Sequence, residues 1–180
     1  SFSCSPTSNS INEVDSKAMV VSAHPLASEI GVNILKKGGN AADATIAVQF
    51  ALAVVYPSAG NIGGGGFFVY RDKDGHCSTL DFREKAPLLS KRDMYLDSTN
   101  NVIKDLSLYS YLAVGVPGTV DGMVNIHEKH GQLPWEELVQ PAIDLATNGF
   151  ELTRLEANKL NRFNKTKGTI NKNSDYFKEN

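Results

Sequence analysis

The chain has 180 residues, 41% hydrophobic and 21% charged, with a formal net charge of −2. That length supports one domain-sized core, and the charge balance gives no reason to expect nucleic-acid or acidic-membrane partners. No apolar run reaches the ~20 residues of a membrane span, and the cysteines, Cys4 and Cys77, are too few for a disulfide scaffold.

Residues 1–16 read as a flexible tail, rich in serine (Ser1, Ser3, Ser5, Ser8, Ser10) and poor in large apolar groups. No secretory apolar region is visible, so any signal peptide is expected to have been removed already. Ala18 to Ala23 is a short apolar run fit for a buried strand. A helix is predicted from Pro25 to Lys37: Pro25 suits the first turn, Leu26, Ile30 and Ile34 recur at helical spacing, and Gly38-Gly39 end it. Asn40 caps a second helix, Ala41–Val55, with Asp43 a favourable first-turn charge. From Ala44 onward this helix is apolar almost all round, so it should be buried on most sides, and Pro57 stops it.

Phe67 to Arg71 and Cys77 to Phe82 read as a hairpin across Asp72-Lys73-Asp74-Gly75. Val116 to Lys129 is a helix with Pro117 near its start and Gly131 past its end. Trp135, Leu138, Val139, Ala142, Ile143 and Ala146 form one apolar helical stripe, broken by Pro141 and closed by Gly149. Residues 17–160 are therefore the patterned block, of α+β class. Residues 161–180, rich in Asn and Lys, read as a loosely ordered continuation.

Several residues invite a chemical reading. Gly63–Gly66 is a run of glycines, but Phe67-Phe68 follows where a P-loop needs Lys-Ser/Thr. The run also precedes a strand, whereas a dinucleotide loop opens a helix. What is left is a tight turn that other backbone, or a ligand, approaches closely. His127 and His130 lie near a helix end and His76 abuts Cys77, yet no third ligand joins either pair at metal spacing, so no metal site is read. Arg83, in Asp81-Phe82-Arg83-Glu84-Lys85, lies just past a strand end. Its guanidinium can bind a carboxylate through two parallel hydrogen bonds, or simply pair with Asp81 or Glu84. Asn164-Lys165-Thr166 fits the glycosylation sequon, a triplet that arises easily in such a segment.

The blocks Asn40-Ala41-Ala42-Asp43-Ala44, Pro57 through the glycine run to Phe67, Asp81 through Pro87, Gly115-Val116-Pro117-Gly118-Thr119-Val120 and Val139-Gln140-Pro141-Ala142 together resemble the γ-glutamyltranspeptidase family. Their order resembles the N-terminal part of that family's large subunit. The resemblance implies an N-terminal-nucleophile hydrolase (αββα) fold, incomplete in this chain. It implies a precursor that cleaves itself into two subunits, and a small-subunit threonine that attacks γ-glutamyl amides such as glutathione with its own α-amine as base. The acyl group then passes to water or to an amino acid or peptide. The resemblance assigns Arg83 to the α-carboxylate of the glutamyl group and implies no cofactor. Thr119, Thr147 and Thr166 do not match the nucleophile's segment, so no catalytic residue is expected in this chain. Its partners would be the remainder of the large subunit and the small subunit.

Two other readings stay open. One is the same fold acting on another acyl amide, of cephalosporin or poly-γ-glutamate type. The other is a non-catalytic module that holds a small acid with Gly63–Gly66 and Arg83. Location is expected outside the cytoplasm, and Ser3-Cys4 before a serine-rich stretch suits a lipid anchor on Cys4.

Overall fold

The computed structural model describes residues 18–167, with side chains to residue 162. The tail, Cys4 and residues 168–180 lie outside the described residues, as do the side chains of the sequon. Helix α1 spans Pro25–Lys36 and α2 Ala41–Val55. A hairpin follows, β1 Phe67–Arg71 and β2 Cys77–Asp81, paired antiparallel with Phe68 opposite Leu80. After a long irregular arm carrying the one-turn helix α3 (Leu106–Tyr109) come α4 Thr119–His130, α5 Trp135–Asn148 and α6 Arg154–Lys167.

Helices α1, α2 and α6 start where a side chain satisfies their first amides. Pro25 opens α1, and His24 Nδ1 accepts the Leu26 N–H at 3.2 Å. At α2 the capping is reciprocal: Asn40 Oδ1 accepts from the Ala42 and Asp43 N–H groups while Asp43 Oδ2 accepts from the Asn40 N–H at 2.9 Å. Thr153 and Glu156 do the same for α6. Glu156 Oε1 also meets His24 Nε2 at 3.0 Å, so the caps of α1 and α6 are joined.

Helix α2 is the hub. It packs against α1, α4 and α5, and Ala42, Ala44, Ile46, Ala47, Ala51 and Val55 are buried along it. Ile34 from α1, Met123 and Ile126 from α4, Leu138 from α5 and Phe68 from β1 complete the core. Close approach explains two glycines. A methyl at Gly31 would lie 2.7 Å from methyls of Val20 and Val48, and one at Gly60 would overlap the Leu52 carbonyl. The predicted burial of α2 on most sides is therefore met by three helices and by the loop that follows it, with Ala41 and Thr45 left exposed.

Three expectations are corrected. Residues 18–22 form no strand: the described residues hold one two-stranded sheet, and this run has no strand beside it to pair with, leaving Met19 and Val21 exposed. Helix α4 starts at Thr119 rather than Val116, because Val116 forms an antiparallel bridge with Lys85. The stretch from residue 161 begins inside a regular helix, α6. Pro141 interrupts the apolar stripe of α5 but not the helix. Among the described residues no helix is long and apolar enough to cross a membrane.

Candidate active-site arginine and its frame

Arg83 sits between two backbone pairings. On one side the Phe82 N–H donates to the Gly66 carbonyl at 3.0 Å. On the other, Lys85 and Val116 exchange both bonds, at 3.1 and 2.8 Å. Side chains alternate along such a segment. Phe82 turns inward, its ring so close to α4 that a methyl at Gly122 would overlap it. Arg83 is left exposed.

The glycine run lies directly against this segment. A Cβ at Gly65 would stand 2.7 Å from Arg83 Cα and 2.8 Å from Glu84 N. A Cβ at Gly118, the residue before α4, would overlap the Phe82 carbonyl oxygen. Both glycines are needed for backbone to touch backbone. Of the two meanings left open for the run, the structure displays backbone approach; Gly63 alone faces open space.

The strap is tied to α4. The Gly64 carbonyl accepts from the Gly118 and Thr119 N–H groups at 2.8 and 3.1 Å, satisfying amides that open the helix. Asn61 Oδ1 accepts from the Gly64 N–H at 2.9 Å and from the buried Thr119 hydroxyl at 2.7 Å. Gln49 on α2 donates to the Asn61 carbonyl at 3.2 Å.

The guanidinium of Arg83 is held by neither acid that its spacing offers. Asp81 Oδ1 instead accepts the Arg83 backbone N–H at 3.0 Å, and among the described residues no ion pair joins Arg83 to Asp81 or Glu84. The guanidinium carbon lies 5.8 Å from the centre of the Phe67 ring, a cation–π distance. The cation is thus steadied on an exposed aromatic face with its hydrogen-bonding edge unclaimed by a neighbouring carboxylate.

The four histidines resolve into structure. His24 caps α1, His76 contacts Asp72 in the hairpin turn at 3.1 Å, and His127 Nε2 donates to the Leu133 carbonyl at 2.8 Å. His130 packs on Tyr70 with ring centres 4.6 Å apart. Among the described residues no three His, Cys, Asp or Glu side chains gather as for a metal ion. Among the described residues three carboxyls are lowered from their ordinary values, each in a turn or cap. Asp97 is lowered first by the Asn101 N–H and then by Thr99. Glu156 is lowered first by the Thr153 hydroxyl and N–H and further by His24. For Asp72, desolvation pushes upward and the bonds from His76, Asp74 and Gly75 outweigh it.

Sequence reasoning singled out Arg83 and the glycines but not Asn61, Phe67 or Gln49. The local signal for Asn61 is an Asx side chain ahead of glycines, which folds back on a nearby backbone N–H. Two open grooves, of about 360 and 510 Å3, lie elsewhere: one between the end of α2 and α6, the other between residues 18–21 and α2.

Comparison with known proteins agrees with this frame. The gamma-glutamyltranspeptidase family model matches residues 27–179. A glutathione hydrolase proenzyme of Pseudomonas sp. (strain A14) is 56% identical over 142 residues, covering 79% of this chain and 25% of that protein. Its counterpart in Escherichia coli (strain K12) is 47% identical over 147 residues, 82% of this chain and 25% of that protein. The crystal structure of Helicobacter pylori gamma-glutamyltranspeptidase superposes with a TM-score of 0.83 at 47% identity, over 90% of this chain and 46% of that chain. The chain thus spans about a quarter of the length of the curated relatives it matches. The match takes in the capped α2, the glycine strap, the Arg83 segment and the opening of α4 within one aligned stretch, and on that ground the chain belongs to the gamma-glutamyltranspeptidase family.

Proposed function

We propose that this chain is the N-terminal part of the large subunit of a γ-glutamyltransferase and glutathione hydrolase, and that Arg83 binds the α-carboxylate of the γ-glutamyl donor. The observation that carries the reading is an arginine fixed at its backbone by two pairings, steadied on Phe67 and without an acidic partner among the described residues. A planar fork of donors so placed matches a carboxylate bidentately. Fixing the donor's α-carboxylate sets the distance and direction of its γ-carbonyl, so the contact positions the reacting carbon as well as binding it.

The chemistry belongs to the rest of the enzyme. A threonine at the start of the small subunit, exposed by self-cleavage of the precursor, adds through its hydroxyl to the γ-carbonyl. The proton passes by way of the threonine's own amine to the leaving amine, giving an ester of the glutamyl group. Water or an acceptor amine then takes the acyl group and regenerates the hydroxyl. This reading includes a location outside the cytoplasm, tested by cell fractionation, with a lipid on Cys4 tested by labelling with a palmitate analogue.

The test of the site is kinetic, in the full-length enzyme that contains this chain, with γ-glutamyl-p-nitroanilide as donor and the fraction of processed precursor measured alongside. Arg83→Lys keeps the charge and loses the fork, so KM rises strongly while kcat falls less. Arg83→Ala removes about 2–5 kcal/mol of kcat/KM. Self-cleavage needs no glutamate and survives both changes. Wild-type KM in a normally processed Arg83→Ala enzyme removes Arg83 from the substrate site.

A further inference from the structure

The Arg83 segment is not stiff by itself: it is exposed, lies past the last residue of β2 and leads into the long arm of residues 86–115. What holds its inner side is the glycine strap, which backbone bonds tie to α4 and to Phe82 and which the Asn61 side chain ties as well. Asn61 Oδ1 gathers two donors from different parts of the chain, the Gly64 N–H at 2.9 Å and the Thr119 hydroxyl at 2.7 Å. The Gly64 carbonyl then takes the Gly118 and Thr119 amides. Gly64 is therefore tied on both sides, by its N–H to Asn61 and by its carbonyl to α4. One residue on, Gly65 lies against Arg83 Cα, and two residues on, Gly66 accepts from Phe82.

We infer that Asn61, with Thr119 as its anchor, is a positioning residue that sets Arg83 for the substrate carboxylate. The inference rests on the reading of Arg83 given above. Without Asn61 Oδ1, the Gly64 N–H and the hydroxyl of the fully buried Thr119 lose their acceptor. A buried hydroxyl left unsatisfied is costly enough for the surrounding backbone to move toward another partner. The strap is glycine throughout and has no side chains of its own to resist that movement. A shift of the strap passes directly to Arg83 Cα, because the two are in backbone contact. A bidentate pair depends on angle as well as distance, so a small rotation of the fork loses one of its two bonds. Neither Asn61 nor Thr119 touches the donor in this scheme. Both act through Arg83.

The test uses the full-length enzyme and two donors, γ-glutamyl-p-nitroanilide and 4-aminobutanoyl-p-nitroanilide, which lacks the α-carboxylate. Asn61→Ala and Thr119→Val raise KM for the first donor about tenfold, the equivalent of one lost charge-assisted contact. They change kcat much less and leave kcat/KM for the second donor within about threefold, as expected where no carboxylate needs orienting. Thr119→Ser keeps the hydroxyl and restores the wild-type KM. In an Arg83→Ala background the Asn61 and Thr119 changes add nothing, since what they position is gone. Thr119→Val preserves shape and stands in if Asn61→Ala does not accumulate as processed enzyme. The inference is overturned if KM for the first donor stays within about twofold of wild type while Arg83→Ala raises it, or if both donors suffer equally, which marks a purely structural knot. Failure of Arg83→Ala itself to raise KM strikes instead at the reading of Arg83.

Discussion

Asp43 is the buried acid on which the helical frame turns, and its removal has a magnitude that the structure lets us work out. The side chain is fully buried. Oδ2 accepts the Asn40 N–H at 2.9 Å and Oδ1 the Gln132 N–H at 3.0 Å, so one carboxyl closes both the α1–α2 and the α4–α5 connections. Asp43→Ala leaves two backbone donors at the seam without an acceptor. At about 1.5–3 kcal/mol for each hydrogen bond to a charged group, the loss is about 3–6 kcal/mol, a large part of the ~5–15 kcal/mol that holds a domain. Asp43→Asn keeps the shape and one acceptor but turns an amide NH2 toward a donor, and should fall about midway. Thr45→Ala, which removes an exposed hydroxyl bonded one turn back to Ala41, is the control and stays within about 0.5 kcal/mol. The chain's single Trp, Trp135, reports the seam, packed edge-on against Phe50 and His127 at 5.6 and 5.4 Å. Urea unfolding followed by its emission is the assay. An Asp43→Ala protein within about 1 kcal/mol of wild type, a change typical of an ordinary surface substitution, refutes the keystone role.

The glycine run predicts opposite outcomes two residues apart. Gly65→Ala drives a methyl into the Arg83 and Glu84 backbone, against Phe82 O at 2.7 Å, and lowers stability by about 1–3 kcal/mol. Gly63→Ala meets nothing within 4 Å and stays within about 0.5 kcal/mol; equal melting shifts contradict the packing argument. Glu156 supplies a pH signature. Its carboxyl is lowered in the folded state, first by Thr153 and then by His24, so its contribution is full above the ordinary glutamate value of about 4.3 and fades as pH falls through and below it. Glu156→Gln therefore flattens the acid limb of stability against pH below about 4.3, and an unchanged slope in acid melts counts against the bonds that Thr153 and His24 make to this carboxyl.

Much of the frame was legible because its signals are local. Pro25, the Asn40–Asp43 pair and the stripe through Trp135, Leu138 and Ala142 each fix a helix from neighbouring residues, and α1, α2 and α5 lie where they point. Helix α6 was missed although Thr153-Arg154-Leu155-Glu156 has the form of a capping box. Its Asn- and Lys-rich body hides the signal, and part of its anchoring comes from His24 on the far side of the sequence. The run at 18–23 has the composition of a strand, but a strand needs a neighbour, and composition cannot supply one. Val116 reads as helix by period and is claimed instead by Lys85. At the site, spacing offered Arg83 two acids and could not show that Asp81 spends its carboxylate on the Arg83 backbone N–H. Asn61 was invisible for the same reason as α6's anchor: its decisive partner, Thr119, is 58 residues away.

The strength of the Arg83 contact depends on what covers it, and that leads to a last prediction for the chain alone. Arg83 stands where the packed frame meets the arm that runs from Lys85 and returns at Val116. Along that arm Leu88, Leu89, Val102, Leu108, Tyr111 and Val114 are exposed, so the arm presents apolar surface rather than a finished pocket wall. The frame supplies direction to the guanidinium, and direction alone is not affinity. An exposed ion pair contributes about 0–1 kcal/mol, whereas even a 1 mM site needs about 4.1 kcal/mol. Desolvation of the pair turns the same geometry into a strong contact, and on the proposed reading the rest of the enzyme provides it by covering the arm and the Phe67 face. Titration of L-glutamate into the 180-residue chain should therefore show no binding tighter than about 1 mM. Calorimetry that finds a micromolar site abolished by Arg83→Ala would mean that this chain completes a binding pocket by itself, and the division of labour proposed here, with orientation from this chain and enclosure from the remainder, would be wrong.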